Sequence, residues 1–216
     1  VLSTDSSGNL AFNNPILTIG SGSAEDTKIV FDGNAQDFHI GLDDSADDLV
    51  IGLGSTLGTT THMSFDENGQ ITKPLQCMFF VNKSSSQNNV SNDGSGHLVT
   101  FDTERFDIGS NFASSTFTAP VTGKYLLYTS LRLDNVDTGA SYYNVAIATS
   151  NHTHEWIEQF NTSGGDYNYF TAQVTAIADM DAGDTATVQI TQNGGTSQTD
   201  IINSSGRTLF SGYLLG

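Results

Sequence analysis

Apolar residues along this chain alternate with polar ones at a period of two, and Gly or Asn interrupts almost every run that could have carried the i, i+3, i+4, i+7 spacing of a helix. The pattern predicts an all-β protein. Up to residue 75 the alternations are brief: Ile29-Val30-Phe31, Phe38-His39-Ile40, Leu49-Val50-Ile51, Met63-Ser64-Phe65 and Ile71. Turn residues separate them: Asp32-Gly33-Asn34, Asp43-Asp44-Ser45-Ala46-Asp47-Asp48 and Asp66-Glu67-Asn68-Gly69. Beyond Lys73-Pro74 the strands lengthen and gain aromatics, starting with Met78-Phe79-Phe80-Val81 and continuing to Thr208-Leu209-Phe210. Within one of them Phe170, Ala172, Val174 and Ala176 share a face while Thr171, Gln173 and Thr175 occupy the other. The chain therefore divides into residues 1–75 and residues 76–216, the second part having the strand lengths and turn spacing of a sandwich or jelly roll.

Strands as short as those of the first part expose one apolar face with nothing in their own segment large enough to cover it. Each large side chain left wet forgoes about 1.5–3 kcal/mol, against an ordering cost of about 1–2 kcal/mol per residue. Self-association is the simplest remedy, so residues 20–75 are expected to form a slender stem completed by copies of the same chain. Composition narrows the partners. Seven basic residues stand against 24 acidic ones, a formal net charge of -17, which repels nucleic acid and anionic lipid surfaces. No apolar stretch is long enough to span a bilayer. The lone Cys77 has no intrachain partner for a disulfide and, beside Met78 and Phe79, reads as a small core residue. The start, Val1-Leu2-Ser3-Thr4-Asp5, has neither Met nor a signal-peptide pattern and reads as that of a processed or excised fragment.

Three stretches of the second part carry a family resemblance. Phe101-Asp102-Thr103-Glu104-Arg105-Phe106-Asp107 leads through Phe112 to Phe117-Thr118-Ala119-Pro120-Val121-Thr122-Gly123-Lys124-Tyr125, in which Pro120 ends a strand, Gly123 permits the turn and Tyr125 opens the next core strand. Met180-Asp181-Ala182-Gly183-Asp184-Thr185-Ala186-Thr187-Val188 supplies a Gly-Asp turn, and Thr208-Leu209-Phe210-Ser211-Gly212-Tyr213-Leu214-Leu215 the terminal strand. In this order they resemble the globular domain of the C1q family, the trimeric jelly-roll heads related to tumour necrosis factor. Leu127 and Thr129 stand where that family favours aromatics, and the Phe112 to Phe117 spacing is shorter. The resemblance implies a homotrimer of identical chains with a C1q-like jelly-roll head at 76–216.

No collagen-type Gly-X-Y run precedes this head. Instead, Ile29-Val30-Phe31-Asp32-Gly33-Asn34-Ala35-Gln36-Asp37-Phe38 and Ile40-Gly41-Leu42-Asp43-Asp44 resemble segments of bacteriophage tail-fibre and structural proteins, marine ones in particular. The combined reading is a viral fibre fragment: a trimeric β stem over 1–75, and a head that attaches to a host cell-surface receptor, with a bacterial surface glycan as candidate ligand. It would reside in the virion and act extracellularly. One alternative is a structural or trimerisation module without receptor binding. A second is a glycan-degrading tailspike, and a secreted bacterial or animal C1q-like protein is a further reading.

By the family's strand order, loops 83–97, 134–141, 161–166 and 191–206 would lie at the end of the head away from the stem. Their amides, hydroxyls and flanking tyrosines suit sugar hydroxyls, and Asn135, Asp137, Tyr142, Tyr143, Tyr167, Tyr169, Asn193 and Gln198 are the candidate receptor-binding residues. The competing reading makes the loops solvated caps and the tyrosines subunit contacts. His152 and His154, two apart on an extended segment, are candidate ligands for a transition metal, since three chains could present six imidazoles. A pair of exposed histidines beside Trp156 is the alternative. Calcium is a family expectation, with Asp134, Asp137 and Asp200 as possible donors, although no EF-hand loop is present. No cofactor is required by this reading. Catalysis is not expected: no Gly-x-Ser-x-Gly elbow occurs, and the clusters Asp43, Asp44, Asp47, Asp48 and Asp179, Asp181, Asp184 read as solvated turn residues. His39, His62 and His97 read as structural or solvent-facing.

Overall fold

Period-two stretches punctuated by Asp and Gly turns fold the first unit into an antiparallel meander. The computed structural model describes residues 17–160 and 165–216, so the opening residues of the expected stem and part of the 161–166 loop lie outside the described residues. The chain divides into two compact units, one ending at Leu75 and one spanning Gln76–Gly216.

In the first unit, β1 (Thr27–Phe31), β2 (Phe38–Asp43), β3 (Asp48–Leu53), β4 (Thr61–Phe65) and β5 (Ile71–Thr72) pair in sequence order as a five-stranded sheet. The acidic turn residues work as backbone acceptors: Asp66 Oδ1 takes the N–H groups of Asn68 and Gln70, at 2.9 and 2.7 Å, and Asp43 Oδ1 takes the Ser45 hydroxyl at 2.7 Å. Strand register sorts the side chains into two faces. On one face the cross-strand rows are Thr27, Leu42, Leu49, Phe65 and Ile71; then Ile29, Ile40, Ile51 and Met63; then Phe31, Phe38 and Leu53. On the other face lie the buried Val50, Ser64 and His39. There a loop folds over the sheet: Leu57 is buried and comes so near Gly41 that a Cβ on that glycine would sit 3.0 Å from its Cδ1. His39 Nδ1 bonds the Gly54 carbonyl at 2.8 Å, and its ring lies over Gly52, where a Cβ would come within 2.6 Å of it.

The second unit comprises β6 (Met78–Asn82), β7 (His97–Leu98), β8 (Thr103–Ile108), β9 (Phe112–Ala113), β10 (Thr116–Thr118), β11 (Gly123–Val136), β12 (Tyr142–Thr149), β13 (Thr153–Glu158), β14 (Tyr167–Met180), β15 (Thr185–Asn193), β16 (Asp200–Ile201) and β17 (Leu209–Leu214). One sheet has the order β14-β11-β17-β6-β8, with β16 on β11; the other has β13-β12-β15-β10-β9, with β7 on β15. This is the all-β jelly-roll sandwich expected from the alternation. The non-sequential order follows from crossovers between two antiparallel layers.

Between the layers lies an aromatic cluster. Phe79 stacks on Phe117 at 4.7 Å and on Phe112 at 5.3 Å, and meets Phe210 edge-on at 5.0 Å. Tyr125 is fully buried, and its hydroxyl donates to the Val121 carbonyl at 2.7 Å, tying the Pro120 turn to the strand that follows. Gly212 sits inside this packing. A Cβ there would fall 2.6 Å from Leu127 Cδ2 and 2.9 Å from Phe79 Cε1, so the strand approaches its neighbours only because the side chain is absent. Cys77 is buried, as expected of a core residue, and desolvation raises its thiol pKa. At one end, the base, the termini of the unit interlock: Lys124 N–H donates to Gly216 O and Leu214 N–H to Cys77 O. The opposite end, the apex, gathers the long polar loops.

Phe79→Ala is predicted to lower unfolding free energy by about 3–5 kcal/mol, and Gly212→Ala by about 1–3 kcal/mol through overpacking. Guanidinium unfolding of the full chain checks both, and losses below about 0.5 kcal/mol would show that the cluster is not the organising core.

Candidate functional site

The outer surface of the β14-β11-β17-β6-β8 sheet departs from what a solvated sheet needs. In β11, Tyr125, Leu127, Leu131 and Leu133 point into the core, so Leu126 and Tyr128 must point outward. Register carries those two positions across all five strands. One row reads Ile108, Met78, Tyr213, Leu126, Ile177, and the next Phe106, Phe80, Ser211, Tyr128, Thr175. Ile177 is 63% exposed, Phe106 46% and Tyr213 41%. Between the rows runs a shallow groove of about 390 Å3 lined by Met78, Phe80, Phe106, Leu126, Tyr128 and Tyr213.

Charge frames this surface at both ends. Toward the base Lys124 pairs with Asp179. Toward the apex the face turns polar at Ser130 and Gln173, whose Nε2 donates to the Tyr128 hydroxyl at 2.8 Å. Beyond them Arg132 bonds Asp134 at 2.9 Å and lies over the Tyr169 ring at 4.8 Å. The hydrogen bond to Asp134 raises the guanidinium pKa further.

Apex loops are held by a separate network. Asp137 is 7% exposed, and its carboxylate accepts the Gly139 N–H at 2.7 Å and the Thr196 N–H. The Tyr143 hydroxyl contacts Thr199 Oγ1 at 2.7 Å and accepts the Asp137 N–H at 3.0 Å; burial raises the phenol pKa. Asp166 accepts from the Thr138 N–H and from Gln198 Nε2, and the Thr138 N–H is the main cause of its lowered pKa. Asn135 Nδ2 donates to Asp200, whose other oxygen takes the Asn89 N–H. Lys83 anchors the 83–97 loop from below: its ammonium donates to Thr100 O at 2.6 Å, and burial lowers its pKa.

The residues singled out from sequence therefore fall into three places. Asn135, Asp137, Tyr143 and Gln198 join one network that fixes loop shape, and Tyr143 has no exposed surface. Tyr142 and Asn193 pair on the outer face of the second sheet, with Asn193 Nδ2 3.3 Å from the tyrosine hydroxyl. Tyr169, 70% exposed, and Tyr167, 37% exposed, belong to β14 of the first sheet. The histidines do not form the pair that a common strand face would give. His152 lies in the turn before β13, beside Asn151, Asp179 and Asp181, whereas His154 is half-buried within that strand and pairs with Ile147. Strand β13 is the edge of the second sheet, beside β14 at the edge of the first. The calcium candidates Asp134, Asp137 and Asp200 are each engaged by different protein donors.

Sequence reasoning missed the outward rows. Their signal was present in Tyr125-Leu126-Leu127-Tyr128, where both alternate sets are apolar, and in Phe79-Phe80; a strand apolar on both sides must be covered on both sides.

A family model described as the C1q domain matches residues 79–215. No curated protein matches the chain by sequence. Among solved structures, the globular domain of zebrafish complement 1qA is similar at 14% identity and a TM-score of 0.47, covering 65% of this chain and 98% of that one. Murine APRIL is similar at 13% identity and a TM-score of 0.47, covering 65% and 99%. The bacteriophage assignment is corrected: the family matched is the C1q domain. The tail-fibre and tailspike readings, host attachment and location in a virion are all withdrawn. The stretches that suggested them, within residues 29–44, form most of β1, nearly all of β2 and the turns around them; turn-rich strands of that length arise in any β-meander and carry little lineage information. Among the described residues no three His, Cys, Asp or Glu side chains gather as a metal would need. With the model covering well over half its length, in the order of strands that builds the jelly roll, the chain belongs to the C1q-domain family.

Proposed function

We propose that residues 76–216 assemble as a homotrimer through the outer face of the β14-β11-β17-β6-β8 sheet, and that the trimer serves outside the cell as a recognition head. The two apolar rows carry this reading. Eight of their ten positions are Ile, Met, Leu, Phe or Tyr, whereas contiguous apolar patches on a soluble monomer are normally small and mark binding surfaces. Identical chains suit such a face because each brings the same rows, framed by Lys124 and Asp179 at one end and Arg132 and Asp134 at the other. Membership in a family of trimeric heads supports three copies.

For the ligand, the apex chemistry favours a neutral or amino sugar. Tyr169 with Arg132 and Tyr142 with Asn193 each combine an aromatic face with hydrogen-bonding groups, and a net charge of -17 per chain opposes anionic glycans. Three apices on one assembly multiply weak single-site affinity. The buried network of Asp137 and Tyr143 fixes the loops that present these groups.

In light scattering the chain is expected to show the mass of three 23.0 kDa copies, and Ile177→Asp, a surface change that leaves the core alone, is expected to reduce it toward one. A one-copy mass for the unaltered chain, or a trimer dissociation constant left unchanged by Ile177→Asp together with Leu126→Asp, would contradict the assembly. On an array of neutral and amino glycans, Tyr142→Ala and Tyr169→Ala should each weaken retention at least tenfold without changing mass, and full retention by both would contradict the ligand reading. Asp137→Ala strands two backbone N–H groups, so a loss of about 1–3 kcal/mol and faster hydrogen exchange at 194–199 are expected; unchanged exchange would show that the carboxylate does not hold the loop.

A further inference from the structure

Among the described residues the N-terminal sheet has one face covered and one bare, except where Ile19 borders a shallow groove over Ile29, Ile40, Leu42 and Leu49. Of the twelve positions in its three bare rows, eleven are apolar, Thr27 is the exception, and none is charged. The opposite face is closed by its own chain through Leu57 and the buried His39. A bare face of this kind leaves about half the burial gain of each large side chain unrealised, and a lone five-stranded layer with one wet apolar side is marginal.

We infer that this bare face is closed by the same face of two further copies of the chain, three sheets forming the walls of a triangular β-prism. The inference extends the assembly proposed for residues 76–216 to a second, separate surface. Geometry selects three walls. Five strands about 4.8 Å apart span about 19 Å, and an equilateral prism with walls of that width has its axis about 5.5 Å from each wall, close to half the roughly 10 Å separation of packed sheets. The central strand β3 then points Leu49, Ile51 and Leu53 at the axis. Exposure points the same way. The most exposed large side chains of the face are Phe31 at 60% and Ile71 at 57%, on the two edge strands β1 and β5. In a prism these edges meet at the corners, whereas a two-sheet sandwich leaves them wet.

The occupant is a copy of this chain rather than another protein because of covalent continuity. Five residues, 73–77, separate β5 from β6, so they reach at most about 18 Å. Once three copies of residues 76–216 associate, the three sheets are present at an effective concentration in the millimolar range. A free competitor would have to match that.

The test uses the full chain carrying Ile51→Cys, a change small enough for the sheet to keep its register, with Lys28→Cys on the opposite face as control. Native Cys77 is buried and serves as the unreactive background. A short tris-maleimide should give a covalent trimer with Ile51→Cys and none with Lys28→Cys, and a monofunctional maleimide should label Ile51→Cys at least tenfold more slowly than Lys28→Cys. A covalent dimer as the limiting product, or labelling of Ile51→Cys as fast as the control, overturns the prism. The same reaction separates the two assemblies. A trimeric mass with freely labelled Ile51→Cys refutes the prism alone. If Ile177→Asp leaves Ile51→Cys still yielding covalent trimer at about 100 µM protein, the sheet associates without the head surface; free labelling in a chain that is monomeric throughout refutes both.

Discussion

Both units are governed by the two-sidedness of a β-sheet. A strand shows alternate residues to opposite faces, so a sequence apolar at consecutive positions demands burial on both sides. One sandwich covers only the inner faces of its layers. In β6 and β11 the inner set, Phe79, Val81, Tyr125 and Leu127, closes on the aromatic core, and the outer set, Met78, Phe80, Leu126 and Tyr128, lines an open groove that none of the described residues of the second unit covers. The first unit repeats the situation with a single layer. Removing such surfaces from water needs more protein, and the cheapest source is another copy of the same chain.

That constraint also arranges the polar groups. Charge on the first sheet's outer face is confined to its ends, with Lys124 and Asp179 at the base and Arg132 and Asp134 toward the apex. The apex loops lie beyond the apolar rows, so their polar backbone groups must be satisfied locally. Asp137, Asp166 and Asp200 meet that need by accepting the backbone N–H groups of Thr196, Thr138 and Asn89 from neighbouring loops. The side chains that the network does not use, Tyr142, Asn193, Tyr167 and Tyr169, are the ones to which the recognition reading proposed above assigns ligand contact.

Much of the architecture was legible because alternation and turn chemistry are local. The Pro120 to Tyr125 turn folds as its residues dictate, and the acidic clusters at 43–48 and 66–69 close turns. Placement of side chains was less legible where two local rules compete. Adjacent tyrosines 142 and 143 cannot share a face of one strand, so a surface site cannot use both; the structure buries Tyr143 and leaves Tyr142 partly exposed. His152 and His154 satisfy an i, i+2 rule only if both lie in a strand, and β13 starts between them at Thr153. The calcium reading counts carboxylates without the donors that engage them: Arg132 at Asp134, the Gly139 and Thr196 N–H groups at Asp137 and the Asn89 N–H at Asp200. The phage reading failed for a different reason: short strands and turns are too generic to identify a lineage, whereas the ordered motifs spread from Phe101 to Leu215 do identify a domain family.

Burial of the outward rows between copies is the central claim, and side-chain footprinting reads it directly. Under hydroxyl-radical labelling at high protein concentration, Met78, Phe106 and Tyr213 should be modified several-fold more slowly than Tyr167, and the difference should shrink on dilution into the monomeric range. Modification of all four at the rates expected for the isolated chain, independent of concentration, would contradict the account.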